Sequence, residues 1–276
     1  MPGGFPLGPE LCNGNSQGVS AGTNYGTAVA SSSSANTMGT WTEIVASTPY
    51  DACWMVAEVE ANGSFSDWAI NIGIGGAGSE QPIWSNLYLG TDVFTGKGVI
   101  QFSFPCNIPA GTRIAAQLQS SGYVALPETA YLTLQLFDGA FTQMEGASGV
   151  EAVGFTAAST IGTTIAPGGT INTKGSYAQL TAATGRDYMG FSLGAGHFAP
   201  FGNPMVGIDI AIGASGSEQI ILPDFVVVGS SYGLAVPPLI FPIPIPAGTR
   251  IAARCETNGG TTSTYDIYLT LNGIFK

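Results

Sequence analysis

Along much of this chain apolar and polar residues alternate one by one. In IDIAIGASGSEQ (208–219), Ile208, Ile210 and Ile212 fall on one side, with Asp209 and Ala211 on the other. The same beat runs through INIGIGGAGSEQ (70–81), where Ile70, Ile72 and Ile74 stand opposite Asn71. A period of two marks a strand with one buried face, because successive side chains leave a pleated backbone on opposite sides. After the turn P-A-G-T, whose glycine supplies the flexible backbone position, Ile251, Ala253 and Cys255 share a face. Arg250, Arg254 and Glu256 share the other. Short alternating strands separated by Gly- and Pro-rich turns predict an all-β chain of sandwich or jelly-roll type.

The pattern also repeats at long range. IPAGTRIAA occurs at Ile108 to Ala116 and again, letter for letter, at Ile245 to Ala253, 137 residues later. The GSEQ strands are 138 apart, WTEIVAST (41–48) matches YAQLTAAT (177–184) at 136, and YLTL recurs at 131–134 and 268–271. Four blocks in one order with nearly constant offset mean a whole-domain duplication with small loop insertions. The alignment predicts two tandem β-sandwich domains, copy one over 21–141 and copy two over 153–276. Residues 1–20 are expected to form an extended Gly/Pro-rich arm and 142–152 a linker.

Composition narrows the function. Charged residues are 9% of the chain, far below the roughly 25% of ordinary soluble proteins, while 45% are hydrophobic and 40 are glycine. The 18 acidic and 7 basic residues give a net charge of −11. With no basic patch to neutralise phosphates, neither nucleic acid nor an anionic membrane is an expected partner. The N-terminus MPGGFPLGPELCNG has no basic start or apolar run of a secretory signal. FVVVGSSYGLAVPPLIFPIPIP is the longest apolar region, but its five prolines exclude a membrane helix and suit an extended edge segment.

No reaction chemistry stands out, and the expectation is that the chain is not an enzyme. His197, the single histidine, has no nucleophile motif beside it and no counterpart in copy one. Cys53, Cys106 and Cys255 align with Met189, Ile243 and Leu118, so they read as small buried hydrophobes, and Cys12 lies in the arm. Without a CxxC pair no metal is expected, and no cofactor is implied. Glu80 and Glu218 in the GSEQ motifs, with Arg113 and Arg250 in the IPAGTRIAA motifs, are candidates for structural ion pairs. Duplication favours that role over ligand binding, since a requirement of the fold applies to both copies. All four tryptophans belong to copy one. Trp68 shares the parity of Ile70 and reads as core. Trp54, with the parity of Glu58 and Glu60, and Trp84 and Tyr88, which share a parity with Asn86, read as outward aromatics of an interface or ligand surface.

The series W-T-E-I-x-A-S-T, I-x-I-G-x-x-G-S-E-Q and I-P-A-G-T-R-I-A-A-R resembles a repeat of tailed-bacteriophage virion structural proteins, of head-decoration or tail-accessory type. It covers both domains, and copy one departs from it where Gln117 replaces the arginine found at Arg254. The resemblance implies a structural component of the particle, made in the host cytoplasm and assembling with other virion proteins and with itself, for example as a trimer. A capsid-decoration or head-surface protein is the leading expectation. The alternative is a tail-fibre or adhesin module that binds a receptor or glycan through Trp54, Trp84 and Tyr88.

Overall fold

A computed structural model describes residues 14–17, 26–61, 67–89, 99–122, 126–138, 146–156, 161–197, 205–230, 233–235, 239–258 and 266–276. The described residues form strands and no helix. In copy one these are β1 (Gly14–Gln17), β2 (Thr27–Ala30), β3 (Thr42–Val45), β4 (Ala52–Ala61), β5 (Trp68–Ile74), β6 (Gln81–Tyr88), β7 (Val99–Ile108), β8 (Ile114–Ser120) and β9 (Thr129–Phe137). Copy two contributes β10 (Gly149–Val153), β11 (Thr163–Ile165), β12 (Ala178–Thr181), β13 (Tyr188–His197), β14 (Met205–Ile212), β15 (Gln219–Ser230), β16 (Gly233–Ala235), β17 (Ile251–Thr257) and β18 (Ile267–Phe275).

The chain is all-β and consists of two tandem sandwiches built on one plan. In copy one, β4 lies between β7 and β9, and β1 and β2 line the far edge of β9. The facing sheet runs β3-β8-β5-β6. In copy two, β18 pairs with β13 on one side and with β10 and β11 on the other, facing a sheet in the order β12-β17-β14-β15-β16. The counterpart of β7 is the proline-rich segment 239–245. It is held to β13 by two isolated bridges, Phe191 to Phe241 and Tyr188 to Ile245. Pro242 is matched by Pro105 within β7, whereas Pro244 stands at the place of Asn107 and is a further position with no N–H to give to a ladder.

Two boundaries differ from the sequence expectation. Residues 14–17 of the expected arm are β1, in register with β9 from Gly14 opposite Phe137 to Gln17 opposite Leu134. Residues 149–152 of the expected linker belong to β10, which pairs antiparallel with β18 and parallel with β6, Val150 against Trp84 and Glu151 against Ser85. The sequence GNSQ has no apolar alternation to reveal a strand, and β10 is too short to show a period. Through β10 the sheets of the two copies become one eight-stranded sheet.

Each sandwich has its own core. Met55, Ile70, Ile72, Trp84, Leu87, Phe104, Ile114, Leu118, Leu132 and Leu134 lead the first. Phe191, Ile208, Ile210, Ile251, Cys255, Leu269 and Leu271 lead the second. β18 serves both: Ile267, Leu269 and Leu271 point into the second core, whereas Ile274 is part of the first, together with Val150 and Ala147. Burying apolar surface on both faces makes this strand one continuous run of covered residues up to Ile274.

Candidate functional site

The two Glu–Arg pairs meet, and each does so at a loop. Arg113 in the turn before β8 places Nη1 2.9 Å from Glu80 Oε1 and donates also to the Gly75 carbonyl at 3.2 Å, while its Nε reaches Glu43 at 2.8 Å. In copy two, Arg250 Nη1 reaches Glu218 at 3.2 Å and the Gly213 carbonyl at 3.0 Å, with Nε on Gln179 at 3.0 Å. The second carboxylate oxygen accepts from the backbone N–H of Gly78 in one copy and of Gly216 in the other, each at 2.9 Å. The planar guanidinium thus ties a strand start to the β5–β6 or β14–β15 turn. Glu80 is held below the ordinary carboxylate range by its own backbone N–H and by the Arg113 and Gly78 donors. Its own N–H, that of Gly216 and Arg250 do the same for Glu218. Gly75 and Gly213 have φ of 119° and 105°, where a side chain is strained.

A second charged group belongs to copy two and was missed in the sequence. On the outer face of the β14 sheet, Asp209 accepts from Lys174 at 3.0 Å and from Arg254 at 2.8 Å, and Lys174 also pairs with Asp224 at 2.6 Å. Arg254 lies over the Tyr177 ring, 4.7 Å from its centre. Burial works against the Asp209 charge, but the Asp224 N–H, Arg254 and Lys174 outweigh it and lower the pKa. At the matching places copy one has Asn71 for Asp209, Met38 for Lys174, Asn86 for Asp224, Gln117 for Arg254 and Gln119 for Glu256. The shared backbone feature is kept: Asn86 N–H donates to Asn71 Oδ1 at 2.6 Å and Asp224 N–H to Asp209 Oδ1 at 2.8 Å. The signal was available, since aligning the copies pairs each charged residue with a neutral one.

The reason for the neutral version is the domain junction. The outer face of copy one's β5–β6 hairpin is covered by copy two, where Ala69 and Tyr88 pack with Ile161 and Tyr268 and with the half-buried Met38 and Phe155. Tyr88 donates to Asp67 at 2.7 Å. Burial pushes the Asp67 carboxyl from 3.8 up to about 7. Burial, reinforced by Asp67, pushes Tyr88 well above its usual value. β13 gives Tyr88 room through Gly194 and Gly196, since a methyl group at Gly196 would overlap the phenol oxygen.

The outward aromatic surface expected from Trp54, Trp84 and Tyr88 does not exist as such. Trp84 is fully buried in the first core, edge-on to Phe104 at 5.2 Å between ring centres. Its register partner across the strands is Ile72, so both share the core face. Tyr88 is 3% exposed and faces copy two. Between them Asn86 adopts φ 57°, a bulge that flips the faces, so equal parity no longer means one side. Trp54 is half-buried on the outer face of β4, its indole donating to Ser103 at 2.7 Å. Trp68 is core and donates to Glu128 at 2.6 Å. Cys106 and Cys255 are buried and Cys53 is half-buried, all three as free thiols, and burial pushes the Cys255 thiol up to about 12. Cys12 and the His197 side chain lie outside the described residues.

No protein-family model matches the chain, and no curated protein matches it. Solved structures with a similar arrangement include PNGF-II, at 10% identity and TM-score 0.34 over 85% of this chain, which spans 58% of that one. PNGase F, a glycosylasparaginase from Flavobacterium meningosepticum, aligns at 10% identity and TM-score 0.31, covering 95% of this chain and 94% of the other. The CBM22-1–CBM22-2 tandem of Paenibacillus barcinonensis Xyn10C aligns at 9% identity and TM-score 0.26, covering 96% and 92%. The likeness is one of tandem sandwich architecture. It corrects one expectation: PNGase F is an enzyme, so the conclusion from the sequence that this chain is not one does not stand.

Proposed function

We propose that the chain is a structural subunit of a tailed-phage virion, acting as a capsid-decoration or head-surface protein. One observation carries the reading. The motif series that resembles virion repeats contains Glu80, Arg113, Glu218 and Arg250, the residues that build the same loop clamp in each sandwich. The resemblance therefore rests on residues that shape the scaffold, and a scaffold repeated within one chain suits a repeated lattice. Quantitative mass spectrometry of purified particles tests it. The chain is expected in a fixed stoichiometry to the major shell protein, and particles that lack it overturn the proposal.

A receptor- or glycan-binding module is the second reading, favoured by Trp54, a half-buried aromatic on the outer face of β4. Titration with host surface glycans is expected to shift tryptophan emission in the native chain and not in Trp54→Ala. An unchanged spectrum in the native chain removes this reading.

A further inference from the structure

Three turns of copy two meet at one end of its sandwich and line an open cavity of about 480 Å³. They are the β12–β13 loop with Ala182, the β14–β15 turn with Ala214 and Ser217, and the turn before β17 with Gly248, Thr249 and Arg250. The turns are braced against one another. The Thr184 carbonyl accepts from the Gly248 N–H at 2.8 Å, and its hydroxyl accepts from the Thr249 N–H at 3.2 Å while donating to the Pro246 carbonyl at 2.7 Å. Arg250 ties the same turn to the Gly213 carbonyl at 3.0 Å. Loops fixed in this way at the end of a β-sandwich form a cleft of the size that takes a small molecule.

Arg250 is the charged side chain of the cavity wall, and copy one shows what this arginine binds when it can. Arg113 holds two carboxylates, Glu80 on Nη1 and Glu43 on Nε. Arg250 holds one, Glu218 on Nη1, because the neutral Gln179 stands on Nε at the place of Glu43. Its third nitrogen, Nη2, has no acceptor among the described residues. Glu218 is fully engaged, since its two oxygens accept from Arg250 and from the Gly216 N–H and its side chain is 8% exposed. The clamp of copy two is thus one negative charge short of its counterpart, and the shortfall lies beside a cavity.

We infer that this cavity binds an acidic sugar, whose carboxylate accepts from Nη2 of Arg250 as the second anion that copy one obtains from Glu43. A guanidinium presents its donors in a fixed fork, so the clamp can keep Nε and Nη1 while the ligand takes the remaining corner. The rest of the wall selects the body of the ligand. Thr249, Ser217 and Gln219 offer hydroxyls and an amide, and apart from Ile212 the apolar wall is the methyl groups of Ala182 and Ala214. A hydroxylated ring finds hydrogen-bond partners there, whereas an aromatic or long aliphatic acid finds little apolar surface to cover it. The inference goes beyond both readings above, and the site lies in the other domain from Trp54.

Titration of the full chain with sodium glucuronate, followed by amide NMR, tests this. The Gly213, Gly248 and Thr249 signals are expected to move and to saturate at millimolar concentrations, and neutral glucose is expected to leave them in place. Gln179→Glu gives Arg250 its second carboxylate from within the chain, and should weaken glucuronate about tenfold or more, the worth of one hydrogen bond to a charged group, while melting as the native chain does. Ala182→Trp, which fills the cavity from an exposed position, is expected to abolish the shifts and serves if the first variant fails to fold. Native signals that stay in place, an equal response to glucose, or native affinity in Gln179→Glu each overturns the inference. Equal saturation by a peptide with a free C-terminal carboxylate overturns the assignment to a sugar. Trp54→Ala is expected to bind glucuronate as the native chain does, so this outcome is separate from the reading that rests on Trp54, and the particle measurement decides presence in virions.

Discussion

Arg113 and Arg250 each hold a carboxylate, a glycine carbonyl and one further side chain, and the geometry leaves little for a lysine to copy. Arg113→Met and Arg250→Met are each expected to lower the melting temperature by a few degrees, with Arg→Lys recovering a minority of the loss. A thermal scan of the four variants checks it, and equal melting of Arg250→Lys and the native chain would contradict the fork as the cause. These pairs were legible because a duplicated sequence reports its structural residues twice. Trp84 and Tyr88 were not. Their faces depend on the cross-strand partner Ile72 and on the bulge at Asn86, and alternation along a single strand contains neither.

At the scale of elements the informative pieces are the β6 hairpin and the strand that covers it. Gly196 in β13 stands where any side chain would collide with Tyr88, so Gly196→Val is expected to destabilise the junction by about 1–3 kcal/mol, the usual cost of overpacking. Chemical denaturation measures it, and Gly169→Val, at a position with open space beside it, is the control.

Asp67 gives the same junction a pH dependence. Its folded pKa is raised, so the folded protein holds more protons than the unfolded chain between pH 3.8 and about 7. Its contribution is therefore full at acid pH, falls as pH rises through this window, and stays low above it. A tenfold difference in proton affinity is worth about 1.4 kcal/mol, so the change amounts to a few kcal/mol. Glu80, Glu218 and Asp209, whose pKa values are lowered, act oppositely and lose their contribution as pH falls below the ordinary carboxylate range. Melting temperature is expected to peak near pH 5, and Asp67→Asn to flatten the decline from pH 5 to 8. An unaltered profile in that variant would exclude Asp67 as its source.

Across the whole molecule the two sandwiches share a sheet and one strand with a face in each. They are expected to unfold in a single calorimetric transition, whereas two separated transitions would mean that the junction couples them weakly. The duplication was readable from four repeated blocks, but this fusion was not, because it depends on β10, five residues with no period of their own. The shared strand also bears on synthesis. Ribosomes deliver the chain from its N-terminus, so the first sandwich emerges with Trp84 beside an empty edge and Tyr88 without its cover. Val150 arrives next to Trp84 soon afterwards, but Tyr268 and Ile274 come more than a hundred residues later. For that interval Tyr88 stands on the nascent first domain without the cover that β13 and β18 give it in the finished protein.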